Sequence, residues 1–176
     1  MGLEMGKTES TEYVEAKQQM HIALGRAISS WARVEGSLCR LFSLSVNSGN
    51  SIVGSEVFSS VKSHEVRVSI TDAAFRVAYK SNSEALQRWT AILKRLGTAR
   101  KLRSKLAHSQ IVARSTKPDM SNAEIRIVPF HFMETHKDIE AFERHTMRQV
   151  LHYVDQFIQL ADDIHKLEFD LRWPSN

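Results

Sequence analysis

The 176-residue sequence contains one cysteine, Cys39, and three prolines, all beyond residue 117. A single cysteine excludes an intrachain disulfide and a cysteine-rich zinc site. No stretch approaches the ~20 apolar residues of a membrane span, and the chain does not open with an apolar run behind a basic patch. The seven glycines form no phosphate-binding loop, and the eight histidines form no zinc-binding pair. We therefore expect a cytoplasmic protein without membrane contact, metal or other cofactor.

Acidic residues are absent between Ala85 and Pro118, a segment that carries nine lysines or arginines. The formal net charge of the whole chain is only +4, so the distribution of charge is more informative than its sum. An uninterrupted basic segment suits the phosphates of a polyanion. The alternative is an ordinary solvated helix face.

Helical spacing can be followed through most of the proline-free first 117 residues. It predicts three helices, from about Glu12 to Val46, Ser55 to Tyr79 and Glu84 to His108. Alternation then predicts two short strands, Gln110 to Arg114 and Glu124 to Val128. Thr135 and Asp138 form an approximate capping box that would open a last long helix, with Thr146 on its apolar face. The predicted fold class is all-α, a four-helix bundle with a small β-hairpin between the third and fourth helices.

No linker divides the chain, so we expect a flexible N-terminus at residues 1–11, one helical domain at 12–170 and a C-terminal tail at 171–176. Trp31 and Trp89 lie on apolar stripes and are expected in the core. Gly97, inside the third helix, is expected to permit close helix packing. The long apolar stripes exceed what one small core requires, which favours a homodimer.

Charged residues interrupt these stripes at Glu35, Asp72 and Arg103, with Glu65 as a fourth candidate. A buried charge is costly unless it is paired, so these residues are expected to meet one another or to line a cleft. Two interpretations follow. Either the charges form salt bridges between helices, or Glu35 orients Arg103 within a functional cleft.

The segment Arg103-Ser-Lys-Leu-Ala-His108 ends the third helix. Ser104 and His108 are four residues apart and share a face, and the Arg103 side chain is long enough to reach them. A guanidinium beside an imidazole suits phosphate chemistry. The alternative is a basic last turn that merely complements the helix dipole. Because Arg126 and His131 repeat the spacing on a predicted strand, the helix-end context carries the weight.

In that context the segment resembles the HEPN superfamily, whose members carry Arg, a polar residue, three further residues and His at the end of the third helix of a bundle. Trp31-Ala-Arg-Val-Glu35 resembles a segment of the first helix in many bacterial members. The resemblance implies a homodimer that cuts RNA without metal in a basic cleft where two motifs face each other. Ser104 stands where members usually have Asn, Asp or His. Gln110 stands where some have a Tyr that an antitoxin modifies, so that regulation is not expected.

Carried over by position, Arg103 would hold the scissile phosphate and His108 would handle the proton, with Ser104 beside them. The full candidate site adds Arg100, Lys101 and Lys105 as substrate-binding residues, and Glu35 and Asp72 as supporting residues. The expected partners are a second copy of the chain, RNA and a protein antitoxin. Two alternatives stay open: a catalytically silent module that binds RNA or nucleotide, and a structural dimer that contacts another protein.

Overall fold

A computed structural model describes residues 10–46, 51–129 and 145–174. These ranges contain five helices and two strands: α1 (Thr11–Ser45), α2 (Ser51–Ser60), α3 (His64–Ala78), α4 (Ser83–Ala107), β1 (Ser109–Arg114), β2 (Glu124–Pro129) and α5 (Met147–Arg172). The predominance of helix with one small hairpin confirms the predicted all-α class. None of the described helices has the length and apolarity needed to cross a membrane.

The predicted second helix is two helices, so the described residues contain five helices where the spacing predicted four. The chain breaks after Ser60, and Ser63 caps α3 by accepting a hydrogen bond from the Val66 amide at 3.5 Å. Arg67 Nε donates to the Val61 carbonyl at 2.7 Å, which satisfies an acceptor that the break exposes. The apolar spacing runs from Phe58 to Val61 across the break, and it therefore concealed the break.

The start of the last helix also differs from the prediction. The proposed capping box at Thr135 and Asp138 lies outside the described residues. Within them, α5 begins at Met147 behind a capping box in which the Thr146 amide donates to Gln149 Oε1 at 2.8 Å and the Gln149 amide donates to Thr146 Oγ1 at 3.2 Å. Placing Thr146 on the apolar face of the helix was therefore wrong, because this residue is the cap.

The chain divides into two compact units, each made of two segments. One comprises Met1–Ile28 and Leu102–Val154. Its hairpin pairs β1 with β2 antiparallel, from Ser109 opposite Pro129 to Arg114 opposite Glu124. The backbone of Ile127 also exchanges hydrogen bonds of 3.0 and 3.1 Å with His145, which lies beside β2. His145 is buried, and its Nδ1 is 3.1 Å from the Tyr153 hydroxyl.

The other unit comprises Ser29–Lys101 and Asp155–Asn176. Its core is a set of aromatic contacts between helices, with Trp31 against Phe157 at 5.5 Å and Phe75 against Trp89 at 5.3 Å between ring centroids. Trp89 is fully buried, and its indole N–H donates to Asp72 at 2.9 Å. Both tryptophans occupy the core positions that the stripes predicted.

Close helix packing occurs at a different glycine from the one expected. A Cβ added to Gly97 would have no atom within 4 Å, so the expectation of close packing there was wrong. A Cβ on Gly54 of α2 would lie 2.8 Å from the Cα of Ser43 in α1. Only glycine permits that approach of the two helix backbones.

Candidate functional site

Arg103 continues the buried stripe of α4. The stripe members that are buried are Ala85, Trp89, Ile92, Leu96, Ala99 and Leu106. Arg103 itself is half-buried, and its Nε is shielded from solvent with no hydrogen-bond partner in the part of the chain that the structure describes. A shielded donor of this kind is uncommon in folded proteins and leaves capacity for an acceptor from outside. The predicted core-facing position of this charge is confirmed.

The end of α4 brings Ser104 and His108 onto one exposed face. The His108 amide donates to the Ser104 carbonyl at 3.2 Å, so helical geometry continues through His108. Side chains four residues apart on a helix lie ~40° apart around its axis, whereas Arg103 is turned ~100° from Ser104. Ser104 and His108 are both exposed to solvent. The helix end therefore presents a hydroxyl and an imidazole beside the partly buried guanidinium.

Two of the three predicted substrate-binding cations are exposed on α4. Lys101 and Lys105 are four residues apart, share the face of His108 and lie in solvent. Arg100 is engaged in an ion pair with Glu65 of α3 at 2.5 Å. Its charge is therefore partly compensated, and Lys101 and Lys105 are the better candidates for a phosphate.

Glu35 does not orient Arg103, as one interpretation expected. Its two carboxylate oxygens face α3, where His64 Nδ1 and an Arg67 guanidinium nitrogen each lie 3.3 Å away. The His64 ring, with Arg67 adding to its effect, holds the pKa of Glu35 below its usual 4.5 although burial opposes the shift. The His64 ring also packs 4.8 Å from Trp31. Glu35 thus belongs to a structural cluster between α1 and α3.

Asp72 likewise supports the core rather than the end of α4. Its Oδ1 accepts from Trp89 Nε1 at 2.9 Å and from Arg76 Nε at 2.8 Å. The pairs Glu35–Arg67 and Glu65–Arg100 join different helices, which confirms the interpretation of these charges as salt bridges between helices.

The sequence reasoning missed an open cleft of about 520 Å³ between α4 and α5. It is lined by Ala91, Lys94, Arg95, Thr98, Ala99, Gln156 and Leu160. A signal was available, because Lys94, Thr98 and Lys101 recur at the four-then-three spacing of one helix face. Among the residues that the structure describes, no group of three His, Cys, Asp or Glu side chains could hold a metal ion.

The chain was compared with protein-family models, with curated proteins and with solved structures. No family model, curated protein or solved structure matches it.

Proposed function

We propose that the protein is a metal-independent endoribonuclease of the toxin or defence kind, with an HEPN-like bundle and its site at the end of α4. The observation that carries the proposal is the arrangement of Arg103, Ser104 and His108. A guanidinium with an unpartnered Nε lies beside an exposed hydroxyl and imidazole, in a segment without carboxylates. Lys101 and Lys105 extend the positive charge along the same helix.

The reaction is an attack of the RNA 2′-hydroxyl on the neighbouring phosphorus. One imidazole removes the 2′ proton, the O2′–P bond forms, and the P–O5′ bond breaks as a second, protonated imidazole gives its proton to O5′. The guanidinium stabilises the extra negative charge on the phosphorus oxygens. The products are a 2′,3′-cyclic phosphate and a 5′-hydroxyl. Since one copy supplies one such histidine, the active form is a homodimer in which two α4 ends share a cleft.

A silent RNA-binding module is the second candidate, and the surroundings of His108 favour it. Its exposed ring has no hydrogen-bond partner among the described side chains, so nothing in one copy fixes the tautomer that a general base needs. The basic face of α4 would bind RNA in either case. Under both proposals, an antitoxin would act by covering this face.

Fragment ends test the proposal directly. Purified protein is incubated with end-labelled structured and unstructured RNAs, with and without EDTA, and the products are analysed by mass spectrometry. We expect cleavage that EDTA does not reduce and 5′ fragments that end in a 2′,3′-cyclic phosphate. A matched RNA with a single 2′-deoxy nucleotide at the cleavage position should stay intact, because the nucleophile is missing. RNAs that bind but remain uncut would support the silent module.

A further inference from the structure

The cleft between α4 and α5 combines an apolar floor with a polar rim. Ala99 and Leu160 form the buried floor, with 6% and 1% of their surface exposed. Lys94 and Thr98 on α4 and Gln156 on α5 are exposed along the rim. A cleft of about 520 Å³ is within the range that holds small organic ligands. An apolar floor with polar groups at its edge suits a flat ring that carries a polar substituent.

The rim carries one uncompensated positive charge. The Arg95 guanidinium contacts the Asp163 carboxylate, which also accepts from Gln159 Nε2 at 3.0 Å. Lys94 has no ion-pair partner in the described ranges, and no carboxylate lines the cleft. The charge that a ligand meets at the rim is therefore that of Lys94, which favours an anion.

The rim is continuous with the basic face of α4. From Lys94, the positions of Thr98 and Lys101 are turned by ~40° or less around the helix axis, and Lys101 is ~10 Å further along it. Two neighbouring nucleotides of an extended strand cover that distance. A strand held by Lys101 therefore has its next residues over the cleft.

We propose that this cleft binds one nucleotide of a single-stranded RNA, with the base against Ala99 and Leu160 and its phosphate at Lys94 and Thr98. The assignment rests on the proposed function, because it extends the strand that binds at the end of α4. Base contact with an apolar surface is tolerant of sequence, and the phosphate contact is electrostatic. The cleft accordingly supplies affinity for flanking single-stranded RNA with little preference among bases.

Fluorescence anisotropy with a labelled 2′-O-methyl oligoribonucleotide tests this inference, because that strand binds but is not cut. Ala91→Phe fills the cleft from an exposed position and should weaken binding about tenfold. Lys94→Ala should weaken it about threefold and lower the salt dependence by about one phosphate contact. The matched controls are Ala73→Phe, at an exposed position on α3, and Lys166→Ala, at an exposed position on α5, and both should bind as the wild type does. Circular dichroism establishes that each variant is folded.

The outcomes separate the inference from the proposed function. If Lys101→Ala and Lys105→Ala weaken binding while Ala91→Phe and Lys94→Ala do not, the cleft assignment is wrong and the site at the end of α4 stands. Wild-type protein that ignores the oligonucleotide at low salt would overturn both. A parallel titration with nucleoside monophosphates distinguishes the source of the nucleotide. Tight binding of a monophosphate that Ala91→Phe abolishes, without an effect on the oligonucleotide, would assign the cleft to a free nucleotide and overturn its role in RNA binding.

Discussion

At the scale of single residues, Glu35 and Arg103 interrupt apolar stripes in the same way but have different surroundings. The Glu35 carboxylate is compensated by His64 and Arg67 on α3. Arg103 Nε is shielded from solvent and has no partner among the described residues. A shielded donor without a partner costs stability, and such costs are retained most often where function requires the group. This contrast separates a structural charge from a candidate functional one.

The lowered pKa of Glu35 gives the first prediction, for Glu35→Gln. A carboxyl whose pKa is lower in the folded state stabilises the fold above its unfolded pKa, and this stabilisation is lost as pH falls through the folded pKa. Urea unfolding at about pH 7 should therefore show the variant to be about 1 kcal/mol less stable than wild type. The difference should shrink as pH falls below 4.5. Glu56→Gln, at an exposed position on α2, is the control. A difference of the same size at about pH 3 would contradict the assignment.

At the scale of elements, the sequence predicted the helices whose apolar spacing agrees with a single uninterrupted period. The predicted limits of the first and third helices lie within one residue of the observed limits of α1 and α4, and the strands agree similarly. The break before α3 could not be read from spacing, because it depends on a tertiary contact from Arg67 to the Val61 carbonyl. The capping pair Thr146 and Gln149 was readable, but the earlier pair at Thr135 and Asp138 was preferred.

The candidate site was predictable for the same reason and to the same extent. Arg103 was placed correctly because its phase on α4 follows directly from the period of that helix. The partners of Glu35 were not predicted, since the phase of His64 and Arg67 relative to α1 depends on the break between α2 and α3. The cleft was missed because half of its lining comes from the packing of α5 against α4.

Contact between α1 and α2 gives the second prediction, a pair of opposite effects. Gly54→Ala should destabilise the protein by about 1 to 3 kcal/mol, because its Cβ would lie 2.8 Å from the Ser43 Cα and the helices must separate. Gly97→Ala should stabilise it by about 0.5 to 1 kcal/mol, since the added methyl group meets nothing and alanine favours helix. Thermal and urea unfolding measure both. Equal changes in the two variants would show that packing at Gly54 is not limiting.

At the scale of the whole molecule, the proposed chemistry requires two copies of the chain. One copy has a single histidine at the end of α4, whereas the reaction needs a proton acceptor and a proton donor. A two-fold axis near the α4 ends would supply both from the same surface. Function and assembly are therefore linked, and a monomer should bind RNA without cutting it.

Assembly is the third prediction. Light scattering at micromolar concentration should give twice the mass of the 20.1 kDa chain, with α4 from Arg100 to His108 in the interface. Labels attached to a cysteine introduced at Ser104 should be close to each other across the dimer, whereas labels at Ser59, exposed on α2, serve as the distant comparison. A monomeric mass would remove the basis for a shared site.

The most direct test of the central claim is the cleavage rate of His108→Ala beside those of wild type and His21→Ala. His21 is an exposed histidine on α1 and serves as the matched control. The account predicts that His108→Ala cuts RNA about 10² to 10⁴ times more slowly while its RNA affinity and fold stay unchanged, because only proton transfer is lost. His21→Ala should cut at the wild-type rate. Undiminished cleavage by folded His108→Ala protein would contradict the assignment of this site.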